Sequence, residues 1–133
     1  MRIYRRILLA STLAASLFAG ATVHASQLEQ IKKKGELVVG ILGTDEPNSF
    51  IDPKTREYIG YEVDLAKEVA AKMGVKPVFK QVAVAARIPE LQQGRIDMLA
   101  ASLTHNKERE AQIDFSLTHL LTGSKVMVKK SSN

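Results

Sequence analysis

Residues 60–74 read GYEVDLAKEVAAKMG, between ELVVGIL at 36–42 and KPVFKQV at 76–82. The middle stretch is a helix bounded by glycines. Tyr61, Leu65, Val69 and Met73 recur every four residues, with Ala66 and Ala70 beside them, so one stripe is apolar at the helical period. Glu62 and Asp64 stand in the first turn, where carboxylates suit the positive end of the helix dipole. Glu68 and Lys72 form an i,i+4 pair, and Gly74 is placed to stop the helix. The flanking runs are short, apolar and rich in β-branched residues, and each reads as a strand. Strand, helix and strand in that order imply a right-handed crossover between parallel neighbours.

The pattern extends both ways. Upstream, Ser26 caps a short helix over 27–34 that closes on Lys32, Lys33 and Lys34 before Gly35. Residues 43–49 are a polar loop holding Pro47, and 50–60 read as a hairpin or long turn. Downstream come a helix over 86–93 ended by Gly94, a strand over 97–101 and a helix over 106–111. An extended piece at 113–116 and a last strand over 125–129 (KVMVK) follow. The fold class is α/β, a mainly parallel sheet flanked by helices, in one domain at most for 133 residues.

The first 25 residues stand apart. Arg2, Arg5 and Arg6 precede an apolar run over 7–22 that ends at Val23-His24-Ala25, the order of a cleaved secretory signal peptide. The run falls short of the roughly 20 residues a membrane span needs. Without this segment the 19 basic groups drop to 16 against 14 acidic ones, so the net charge is +2 instead of +5. The basic character belongs mostly to the leader, and nucleic acid is a poor partner. No cysteine is present, so no disulfide framework is expected. His105 and His119 lie far apart without carboxylates at metal-ligand spacing, and no phosphate loop, dinucleotide fingerprint or nucleophile elbow occurs. No metal, no cofactor and no catalytic residue is expected.

In open parallel sheets, ligands bind beyond the carboxyl ends of the strands. Three segments occupy that edge, at 43–50, 83–87 and 102–109. The third offers the hydroxyls of Ser102 and Thr104, then a helix start near Asn106 with outward amides. Arg109 falls in the first turn, against the dipole, where a guanidinium beside free amides suits a carboxylate. The alternative is an exposed pair with Glu108 or Glu110. Arg87 opens the helix at the second exit, with an ordinary surface arginine as its alternative. Asp45 and Phe50 are the candidates in the first segment.

Gly60-Tyr61-Glu62-Val63-Asp64-Leu65 with Val69-Ala70 and Met73 resembles the signature of the family 3 bacterial solute-binding proteins, amino-acid receptors of ABC importers. Gly94-Arg95-Ile96-Asp97, Ser102-Leu103-Thr104, Glu108-Arg109 and Asp114-Phe115-Ser116 are similar to the family's next block. The resemblance implies a periplasmic, non-enzymatic and monomeric protein that closes two lobes on an amino acid and delivers it to a permease in the inner membrane. It implies that Arg109 grips the ligand's α-carboxylate with Ser102 and Thr104. Arg87-Ile88-Pro89 with Leu91 resembles the glutamate/aspartate-binding branch, which implies Arg87 on a side-chain carboxylate and an acidic ligand.

Three departures from that pattern stand out. Glu46 and Asn48 flank Pro47, leaving Phe50 as the nearest ring; Leu42 stands where some acidic-ligand binders carry arginine; and Leu117-Thr118-His119 follows Phe115-Ser116. Family members are roughly twice this length. The expectation is therefore a fragment: residues 1–25 a signal peptide, 26–119 an incomplete first lobe, 120–133 the hinge crossover and first strand toward an absent second lobe. Such a lobe alone is expected to bind weakly or not at all. The alternatives are a cyclohexadienyl dehydratase-like enzyme on the same fold, or a non-binding truncated remnant.

Overall fold

In the computed structural model, which describes residues 26–123 and 125–131, helices form where local signals are densest. Helix α1 (Gln27–Lys34) opens with a capping box, in which Ser26 and Glu29 satisfy each other's amides. It closes on Gly35, whose left-handed backbone donates to the Ile31 and Lys32 carbonyls. Strand β1 (Glu36–Ile41) follows, then an antiparallel ribbon of β2 (Thr44–Asp45), β3 (Ser49–Ile51) and β4 (Tyr58–Ile59). Helix α2 (Tyr61–Met73) has the limits expected of it and ends on the left-handed Gly74. Strand β5 (Lys76–Gln81), a 3-10 turn (Val84–Ala86), α3 (Arg87–Gln92), β6 (Met98–Leu99) and α4 (Lys107–Glu110) complete the order.

The main sheet runs β5-β1-β6, all parallel, as the strand–helix–strand alternation requires. Strand β1 is its centre. Leu37, Val39 and Ile41 are buried in the core with Val63, Ala66 and Ala70 of α2. The third strand is shorter than the expected 97–101, since its pairing reaches only from Val39↔Met98 to Gly40↔Leu99. Asp97 lies just outside the ladder, where its carboxylate accepts from the Val38 amide at 2.8 Å.

Two expectations are corrected. The buried face of α2 is Glu62, Val63, Ala66 and Ala70, while Tyr61 is exposed and Leu65 and Val69 are half-buried. Val63 and the two alanines are fully buried against the sheet, where small side chains let the helix lie close, and Val69 and Met73 pack at the margin of the same core. Leu65 and Val69 also line a groove beside β6 with Met98 and Leu117. The strand expected over residues 125–129 is not formed. Those residues have no ladder partner among the described residues, and Val126 and Met127 are 89% and 97% exposed. Alternating apolar residues favour extension, but a strand exists only beside another strand. The signal-peptide segment 1–25 lies outside the described residues.

Candidate functional site

The carboxyl ends of β1 and β6 meet the ribbon and the start of α2, and Ser102 stands at the junction. Gly60 makes the approach possible. Its φ is 122°, and a Cβ there would lie 2.5 Å from the Asn48 carbonyl oxygen. The chain thus brings the Pro47 and Asn48 carbonyls onto the first amides of α2, accepting from Tyr61 at 3.2 Å and Glu62 at 2.9 Å. Two of the helix's orphan donors are satisfied by backbone, with no capping side chain.

Four charged or polar side chains then close on Ser102. Its amide donates to Glu62 Oε1 at 2.6 Å, and its hydroxyl donates to Asp45 Oδ2. Asn48 Nδ2 donates to Asp45 Oδ2 at 3.1 Å and to the Ser102 hydroxyl at 3.4 Å. From the other side, Arg87 Nη1 donates to the Ala101 carbonyl at 2.6 Å and to the Ser102 carbonyl at 3.3 Å, while its Nε donates to Val84 at 3.0 Å. Burial lowers the Arg87 pKa, and the Arg109 charge acts the same way; Glu62 and Asp45 oppose them.

Arg109 sits half-buried on α4 and reaches back across its start, where Nη1 donates to the Thr104 carbonyl at 2.8 Å. The Arg109 amide is not free for an anion: Asn106 Oδ1 caps it at 2.9 Å. The alternative pairing with Glu110 is taken by His105 instead, at 3.3 Å. Thr104 is exposed, and its carbonyl, not its hydroxyl, holds Arg109.

Of the six residues singled out from the sequence, Asp45, Arg87 and Ser102 thus meet in one hydrogen-bonded cluster. Thr104 and Arg109 form a second pair on the following turn. Phe50 lies in the middle strand of the ribbon, paired with Thr44 and Ile59, outside that cluster. The surface-arginine alternative for Arg87 fails, because the residue is only 8% exposed.

Sequence reasoning missed Glu62 and Asn48. Glu62 reads as a dipole-facing carboxylate at the surface, yet it is 5% exposed. The available signal was its position: it is the second residue after a glycine at a strand-to-helix junction.

The arrangement can hold an ionic ligand at the sheet edge, with one guanidinium and two carboxylates around one serine and a second guanidinium on the following turn. The chain matches the model for "Bacterial extracellular solute-binding proteins, family 3" over residues 37–133. It is 35% identical over 108 residues to the glutamine-binding protein of Geobacillus stearothermophilus, a match covering 79% of this chain and 41% of the relative. It thus spans about two-fifths of that relative's length.

Among solved structures it is similar to AncCDT-1, an ancestral cationic amino acid solute-binding protein, at 40% identity and a TM-score of 0.66, covering 68% of this chain and 39% of that one. It is also similar to domain 1 of TmArgBP in its arginine-bound form, at 33% identity and a TM-score of 0.59, covering 62% and 64%. The curated relative is named as a binding protein, not an enzyme. By the extent of that match and the parallel lobe that carries it, this chain belongs to the family 3 bacterial extracellular solute-binding proteins.

Proposed function

We propose that this chain supplies one wall of an amino-acid-binding cleft, as part of the periplasmic binding component of an ABC importer. The observation that carries this is the convergence of Arg87, Asp45 and Glu62 on Ser102 at the carboxyl end of the parallel sheet, with Arg109 on the next turn. A zwitterion needs a cation for its carboxylate and acceptors for its ammonium, and this rim carries both. Arg109 takes the α-carboxylate, assisted by the exposed Thr104 hydroxyl, and by the Ser102 hydroxyl once a ligand draws it from Asp45 Oδ2. The arginine-bound single domain of TmArgBP supports ligand binding by one lobe, so measurable binding by this chain replaces the weak or absent binding expected from its length alone.

In this reading residues 26–119 form the lobe, 120–133 lead away from it toward a hinge, and 1–25 direct export. The protein acts as a monomer, closes around the ligand by hinge motion and passes it to a permease.

For the ligand's side chain, an acidic group would use Arg87. Its Nε and Nη1 already serve three backbone carbonyls, so only Nη2 remains for such a contact. Asp45, half-exposed at the same rim, favours a cationic side chain as the second reading. Calorimetric titration of the chain with L-glutamate, L-glutamine, L-arginine and L-cystine tests the proposal. Heat of binding with at least one is expected, and its ranking assigns the side-chain partner. No heat with any of them contradicts it.

A further inference from the structure

Glu62 is a carboxylate in an unusual position. It stands in the first turn of α2, where such groups face solvent and the helix dipole. Here it is 5% exposed and turned across to another segment. Its Oε1 accepts from the Ser102 amide at 2.6 Å and lies 3.3 Å from the Ser102 hydroxyl, while its Oε2 is buried with no partner among the described residues. Its own amide is anchored to the Asn48 carbonyl at 2.9 Å. Glu62 therefore fixes three segments to each other: the ribbon loop, the helix start and the exit of β6.

The residue it holds is conformationally costly. Ser102 has φ 49°, in the left-handed region that a side chain with Cβ seldom adopts. Such a backbone persists only where its surroundings over-determine it. Charge-assisted hydrogen bonds are the strong ones, and Ser102 makes three: its amide donates to Glu62, its hydroxyl donates to Asp45, and its carbonyl accepts from Arg87. Flipping the 101–102 peptide would break the Glu62 bond and turn the Ala101 carbonyl from Arg87. Leaving the left-handed region by rotation about the Ser102 N–Cα bond alone would re-aim residues 103–109, which carry Thr104 and Arg109.

We propose that Glu62 is a positioning residue: it locks Ser102 in its left-handed conformation and so sets the direction in which the Thr104–Arg109 turn is presented to a ligand. The consequence for ligand binding rests on the function proposed above; the consequence for Ser102 does not.

The test is amide hydrogen exchange on the full chain, labelled with 15N, for the parent, Glu62→Ala and Glu62→Gln. Glu62→Ala is expected to lower protection of the Ser102 amide by about 10- to 100-fold while the Val39 amide in β1 keeps its protection. Glu62→Gln keeps a carbonyl acceptor in place, so it is expected to restore most of that protection and to move the Ser102 amide proton upfield. If Glu62→Ala does not fold, the Glu62→Gln shift at Ser102 decides. An unchanged Ser102 amide overturns the proposal, as does equal loss at Ser102 and Val39, which would mark Glu62 as part of the general core. Titrating L-glutamine and L-arginine into the same samples separates the two readings. If no amino acid moves the Ser102 to Arg109 amides of the parent, the binding function fails, while the exchange result still decides the role of Glu62.

Discussion

Arg87 donates from Nη1 to the Ala101 carbonyl over 2.6 Å, so a side chain suited to grip a ligand is engaged in holding the end of a strand. The same nitrogen reaches Ser102, and Nε reaches Val84. A guanidinium spread over three carbonyls is a structural tie between the start of α3 and the exit of β6.

Replacing Arg87 by alanine therefore leaves the buried Ala101 carbonyl without a donor, and the part-buried Val84 and Ser102 carbonyls to water. Each uncompensated group costs about 1–3 kcal/mol. Urea unfolding of Arg87→Ala is expected to read a loss of that order, with any ligand affinity reduced for neutral and acidic amino acids alike. An undiminished stability with a selective loss for L-glutamate would instead return Arg87 to the ligand.

Gly60→Ala tests the junction that builds the site. A Cβ would meet the Asn48 carbonyl oxygen at 2.5 Å and the Pro47 carbonyl oxygen at 2.7 Å, in a backbone region nearly confined to glycine. A loss of about 2 kcal/mol or more is expected in thermal unfolding. Gly35→Ala has the strained φ of 75° but open space, so its cost is expected to be smaller.

Glu90 ties acid stability to one carboxylate that can be tested. It receives Arg95 Nε at 3.0 Å and Lys80 Nζ at 2.8 Å, and these bonds, the one from Arg95 first, hold its carboxyl down at about 2 against the ordinary 4.5. A depressed carboxylate contributes stability that is present above the unfolded value and is lost as pH falls through the folded one. Thermal unfolding between pH 5 and pH 2 is therefore expected to fall more steeply for the parent than for Glu90→Gln. Parallel curves across that window would contradict the assignment.

Much of this fold was legible locally. The limits of α2 and the Ser26 cap depend on neighbours within four residues, which a sequence displays directly. Strands depend on partners far along the chain. Hence β6 shrank to Met98–Leu99, and residues 125–129, with equally good alternation, formed nothing. The site divided the same way. Position at the strand ends pointed to Ser102, Arg87 and Arg109, because topology fixes that edge. The use of each group was hidden, since Glu62 and Ser102 lie forty residues apart and meet only through the close approach that Gly60 permits.

In the function proposed above, Arg109 binds the carboxylate of an amino acid at this rim. An NMR titration of the chain with L-amino acids, following the Ser102, Thr104 and Arg109 amides, tests it most directly. Saturable shifts are expected at these three amides, with a loss of affinity of about 10-fold or more in Arg109→Ala with the fold intact. Shifts that persist unchanged in Arg109→Ala, or that are absent for every amino acid tested, would contradict it.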